Sequence, residues 1–145
     1  MSNMEQTLSI IKPDAVERNL QDQIKNEFKN NGFEILKEKK IHISKEEAEK
    51  FYKVHESKPF YNDLCAYLSS GPIVVMSLQK DNAVLENRKL MGATNPKEAE
   101  IGTIRNEFAE SIEANSVHGS DSIEDAKSEI AFFFAEIELV FWILN

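Results

Sequence analysis

The run Ile73-Val74-Val75-Met76-Ser77-Leu78 constrains the fold of this 145-residue chain more than any other segment. It is short, rich in β-branched residues and preceded by the turn pair Gly71-Pro72. Such a run reads as a central strand, too brief for a helix and too apolar for a loop. The other elements must be arranged around it.

Upstream, Thr7 to Lys12 reads as a Leu- and Ile-rich strand that Pro13 stops. Leu20, Ile24 and Phe28 recur every four residues, which puts them on one face of a helix ending at Asn31-Gly32. Phe33 to Ile43 alternates as a half-exposed strand does. Ser44 followed by Glu47 forms a capping box for a helix carrying Ala48, Phe51 and Tyr52. Pro59 suits the first turn of a further helix, with Leu64, Tyr67 and Leu68 turned inward.

Downstream, Asp81 is placed to cap a helix running to about Met91. Residues 92–107 show little periodicity and read as a long loop with one short helical stretch, a kind of segment that often carries function. Ser116 to Gly119 predicts a short fourth strand. Asp121 or Ser122 caps a last helix with Ile123, Ala126, Ile130 and Phe134 inward, and the apolar tail Ile137 to Leu144 reads as extended. This order predicts one α+β domain over residues 1–145. Its plan is a ferredoxin-like split βαβ: a four-stranded antiparallel sheet with helices packed on one face.

With 41% hydrophobic residues the chain can build a sizeable core, but it is too short for two. A net charge of −8 argues against broad nucleic-acid binding, which needs a basic face; no specific nucleic-acid partner is expected. It leaves room for phosphorylated small molecules gripped by a few converging cations. The single cysteine, Cys65, excludes an internal disulfide and, among Leu64, Ala66 and Leu68, reads as core filler. No signal-peptide pattern is visible and no apolar run reaches the ~20 residues of a membrane span, so the expected compartment is cytoplasmic, with no membrane partner.

Three histidines differ in setting. His42, between Ile41 and Ile43 in a strand pattern, reads as a surface residue. His55 follows Tyr52 near a helix end and either meets a phosphate or caps the helix. His118 lies in Asn115-Ser116-Val117-His118-Gly119-Ser120-Asp121, among small and polar residues before a helix start. A neutral imidazole has a free nucleophilic nitrogen that can take a phosphoryl group and pass it on. Gly119 permits close approach of a substrate, the helix start offers N–H groups to anions, and Glu129 or Asp121 could fix the ring tautomer. Lys12, Arg88 and Arg105 are candidate phosphate-gripping cations. No Walker A loop or protein-kinase glycine loop is present.

Taken together, these segments resemble the nucleoside diphosphate kinase family from about Thr7 to Phe134. The most specific part is the seven residues around His118. Lys12-Pro13-Asp14-Ala15, Lys58-Pro59-Phe60, residues 88–96 (Arg88 to Pro96) and Gly102-Thr103-Ile104-Arg105 match in the family's order. The resemblance implies a ping-pong cycle in which His118 takes the γ-phosphoryl group of ATP and gives it to a nucleoside diphosphate. It implies that Lys12, Arg88, Thr94 and Arg105 hold phosphates, that Asn115 and Lys12 meet the ribose, and that Phe60 stacks on the base. Tyr52 would support Lys12, His55 would lie near the phosphates, and Glu129 would orient His118 with Ser120 nearby. Mg2+ would arrive with the nucleotide, Asp121 reaching it through water. It also implies a homo-oligomer, a hexamer or tetramer built from dimers.

Lys58, Asp22 and Asn106-Glu107 depart from the usual family pattern, and the end Phe141-Trp142-Ile143-Leu144 is unusually apolar; none of these removes a reacting group. Two other readings compete with the enzyme. A binding-only protein on the same fold would not need the nucleophile. A nucleic-acid module would need a basic, aromatic-rich strand that the sequence lacks.

Overall fold

A computed structural model describes residues 3–134. Four antiparallel strands, β1 (Met4–Ile11), β2 (Glu34–Ile41), β3 (Ile73–Asp81) and β4 (Val117–Gly119), form one sheet in the order β2-β3-β1-β4. This is the ferredoxin-like plan expected from the alternation of elements. The Ile73–Leu78 run lies inside β3, between β1 and β2.

The helices are α1 (Pro13–Glu17), α2 (Gln21–Asn30), α3 (Lys45–Phe51), α4 (Tyr61–Leu68), α5 (Ala83–Met91), α6 (Ile104–Phe108) and α7 (Ile123–Phe133). They cover both faces of the sheet, not one. Val74, Met76 and Leu78 of β3 pack with Ile24, Phe28, Met91 and Ile104 on one side. Ile73 and Val75 pack with Ala48, Tyr61, Cys65 and Phe133 on the other. A strand apolar at nearly every position is the mark of a sheet covered twice. Each fully buried side chain of this kind contributes about 1.5–3 kcal/mol.

Local signals explain most boundaries. Gly32, at φ +83, follows α2 as a left-handed stop. The capping box forms, with Ser44 Oγ accepting from Glu47 N at 3.1 Å and Glu47 Oε1 accepting from Ser44 N at 3.0 Å. Of the two candidates before α7, Ser122 is the cap and accepts from Asp125 N at 3.0 Å. The helical stretch in the long loop is α6, capped by Thr103.

Four expectations shift. Pro13 does stop β1, and it also opens α1, a short helix not foreseen. Pro59 lies ahead of α4, which starts at Tyr61. Asp81 is the last residue of β3, because its pairing with Met4 extends the ladder; left-handed Asn82 takes the cap position instead. Ile123 is 46% exposed rather than inward, while Phe133 is buried. Cys65 is buried as core filler, and His42 is exposed, its Nε2 at 2.8 Å from Ser69 O. The tail from Ile137 to Leu144 lies outside the described residues.

Candidate active site

A cleft of about 980 Å³ opens where β1 and β4 end beside α5 and α6. It is lined by Lys12, Tyr52, His55, Phe60, Arg88, Thr94, Arg105, His118 and Asp121, residues spread over more than a hundred positions of sequence. Asn115, Ser120 and Glu129 do not line it; each holds a residue that does or stands directly behind one.

His118 is the middle residue of β4, opposite Ile10 of β1. Its Nε2 lies 3.1 Å from Glu129 Oε1, and Ser120 Oγ donates to the same oxygen at 2.7 Å. Leu8 N in turn donates to Ser120 Oγ at 3.2 Å, which ties the cluster to β1. A carboxylate facing Nε2 fixes the proton there, so Nδ1 carries the lone pair. Of the two carboxylates open from the residues alone, Glu129 therefore occupies the orienting position. The rings of Phe51 and Tyr52 stand edge-on to the imidazole at 5.3 and 6.4 Å, fixing its plane.

Lys12 follows β1 and is 6% exposed. Its Nζ donates to Asn115 Oδ1 at 3.0 Å. Burial first, and the charge of Arg105 second, bring its pKa down to about 8, against the pull of Asp14. Arg105 is also buried. Its Nη1 donates to Gly92 O at 3.0 Å and its Nη2 to Val117 O at 2.9 Å, so it joins the long loop to β4. Arg88, Thr94 and Asp121 are exposed along the rim, and Phe60 is 50% exposed.

Three details differ from expectation. Tyr52 Oη is buried without a hydrogen-bond partner among the described residues, so Tyr52 meets the His118 ring but does not hydrogen-bond to Lys12. Of the start of α7, only Asp121 reaches the cleft; Ser122 and Ile123 line an adjoining small groove that shares Leu85, Arg88 and Asp121 with it. Gly119 borders the cleft, but its tightest demand comes from α5: a Cβ there would run into Asn87 Nδ2 and come within 2.7 Å of Met91 Cε. His55 closes a 3₁₀ turn (Lys53–His55), its ring 6.0 Å from that of Phe60. Leu64, Leu85, Glu98 and Glu100 also line the cleft without having been expected there, because nothing local marks a side chain that meets a cleft formed by distant segments.

Comparison with known proteins agrees with this geometry. The family model described as nucleoside diphosphate kinase matches residues 5–139. A nucleoside diphosphate kinase of Campylobacter fetus is 61% identical over 136 residues, covering 94% of this chain and 99% of that protein. One from Nitratiruptor is 61% identical over 137 residues, covering 94% and 100%. The crystal structure of the Aquifex aeolicus nucleoside diphosphate kinase superimposes with a TM-score of 0.90 at 37% identity, covering 93% of this chain and 98% of that one. That of Encephalitozoon cuniculi gives 0.86 at 36%, covering 89% and 88%. With a cleft that gathers the distant motifs and a family match spanning nearly its whole length, the chain belongs to the nucleoside diphosphate kinase family.

Proposed function

We propose that this protein moves the γ-phosphoryl group of a nucleoside triphosphate, typically ATP, to a nucleoside diphosphate in two half-reactions, with His118 Nδ1 as carrier. The observation that supports it most is the engagement of Nε2 by Glu129 at 3.1 Å on a ring that lines the cation-bearing cleft.

In the first half-reaction the Nδ1 lone pair attacks the γ-phosphorus. The N–P bond forms, the bond to the β-phosphate oxygen breaks, and a nucleoside diphosphate leaves with that electron pair. Positive charge on the ring is offset by Glu129, which accepts the Nε2 proton's hydrogen bond throughout. In the second, a terminal phosphate oxygen of another nucleoside diphosphate attacks the same phosphorus and the N–P bond breaks.

Lys12, Arg88, Thr94 and Arg105 hold the phosphates and offset charge in the transition state. Lys12 and Asn115 meet the ribose, His55 lies near the phosphates, and Phe60 stacks on the base. Stacking suits any base, which favours broad acceptance. Mg2+ would be carried in on the nucleotide's phosphates and offset their charge, and Asp121, exposed on the rim of the cleft, is the residue that would reach it through water.

A homo-oligomer, hexamer or tetramer built from dimers, acting in the cytoplasm, completes this reading. Sedimentation at micromolar concentration checks it, and a monomer there would contradict it.

The carrier is tested by mixing the protein with γ-labelled ATP and magnesium. The native protein takes up an acid-labile, base-stable phosphate and His118→Ala takes up none. Equal labelling of the alanine variant would sink the mechanism.

A further inference from the structure

Two residues before His118 the backbone is strained. Ser116 is fully buried with φ +71, and Val117 N–H donates to Asn115 O at 2.9 Å across it. A three-residue turn with a positive central φ is the rarer, strained form of γ-turn and needs support from its surroundings. This turn sets the spacing between Asn115, which holds Lys12 Nζ, and His118.

The support converges on one buried carboxylate. Ser116 Oγ donates to Asp14 Oδ2 at 3.0 Å. Tyr67 Oη, from α4, donates to Asp14 Oδ1 and accepts from Asp14 N at 3.1 Å. Arg18 Nη2 donates to Asp14 Oδ2 at 3.3 Å and to Phe108 O. The main chain closes the same ring of contacts, with Lys12 N donating to Ser116 O at 2.8 Å. Burial and the bond to Asp14 push the Tyr67 phenol far above its ordinary range, so it remains a donor at any working pH. None of Asp14, Arg18, Tyr67 and Ser116 lines the cleft.

We propose that Asp14, acting with Tyr67 and Ser116, is the positioning group that holds the strained turn and thereby keeps Lys12, Asn115 and His118 in register for phosphoryl transfer. The inference rests on His118 being the carrier. It assigns to Asp14 a role exerted through other residues, not contact with the nucleotide. Misplacement of reacting groups by about 1 Å can cost on the order of a hundredfold in rate.

The test is the single-turnover rate of phosphohistidine formation at saturating ATP, with thermal unfolding followed in parallel. Asp14→Asn, Ser116→Ala and Tyr67→Phe are each expected to slow it on the order of tenfold or more at temperatures where all remain folded. Tyr67→Phe combined with Ser116→Ala should be no slower than Asp14→Asn, because both act through one carboxylate. Ser116→Gly is the sharpest variant: glycine adopts positive φ without strain, so it should recover part of the rate lost in Ser116→Ala. If the contacts served stability alone, Ser116→Ala and Tyr67→Phe would transfer at the native rate, and that result would overturn the proposal. It also guards against an Asp14 variant that fails to fold. A native protein that takes no label overturns the carrier reading and this inference with it; a labelled native protein with equally fast variants overturns this inference alone.

Discussion

Lys12 and Phe60 face the same cleft, yet one is sealed into the fold and the other stands half in solvent. The contrast extends to their neighbours. On the inner wall, Lys12, Arg105 and His118 have partners fixed before any ligand arrives: Asn115, the carbonyls of Gly92 and Val117, and Glu129. On the outer wall, Phe60, Arg88 and Thr94 are exposed on α5 and the loops. In the proposed mechanism bonds form and break at this preorganised inner wall, which is where misplaced groups are most costly. In the same proposal the outer wall gives the base a stacking surface and the phosphates side chains that can adapt to them.

Breaking the inner wall should have the largest effect. Glu129→Ala removes the acceptor that fixes the His118 tautomer and leaves Ser120 without its partner. Phosphoenzyme formation at saturating ATP is expected to slow by about 100-fold, the scale for losing an orienting carboxylate, with little change in nucleotide affinity. Rapid-quench measurement checks this, and a rate within twofold of native would mean the carboxylate does not orient the ring.

Breaking the outer wall should act on binding. Phe60→Ala is expected to raise KM about tenfold, in line with ~1–3 kcal/mol for a stacked base, and about equally for purine and pyrimidine nucleotides. A selective loss for one base, or a fall in kcat with KM unchanged, would contradict the division between the walls.

The smallest effect comes from pH. In the proposed mechanism the charged form of Lys12 grips phosphate, and burial brings its pKa down to about 8. Below that value the ammonium is present; above it the charge is lost, so kcat/KM should fall as pH rises through about 8. The fall amounts to roughly fourfold by pH 8.5 if one proton is involved. Phosphate binding favours the ammonium, so nucleotide binding near pH 8 should take up a proton, visible as a buffer-dependent heat in calorimetry. A profile flat to pH 9 would show that Lys12 stays charged in the free protein.

How much of this the sequence carries differs between the same two walls. The fold plan follows from the apolar β3 run, the capping box and the glycine stop, all local signals. The outer-wall residues sit in recognisable motifs, and every one of them reaches the cleft. The inner wall is legible only in part. His118 and Lys12 are marked by their motifs, but the Asp14–Ser116 bond joins positions 102 residues apart and has no local signature. The double covering of the sheet is readable in Ile73–Leu78, where both alternating faces are apolar, although the order of elements by itself suggested one covered face. Asp81 shows the same limit: its role was decided by pairing with Met4 across the sheet.

The central claim is that the fold commits Nε2 of His118 to Glu129 and leaves Nδ1 to receive phosphate. Isolating the phosphoenzyme and determining by phosphorus and nitrogen NMR which ring nitrogen bears the phosphorus tests it directly. The account predicts phosphorus on Nδ1, with the Nε2 proton still present; phosphorus on Nε2 would contradict it.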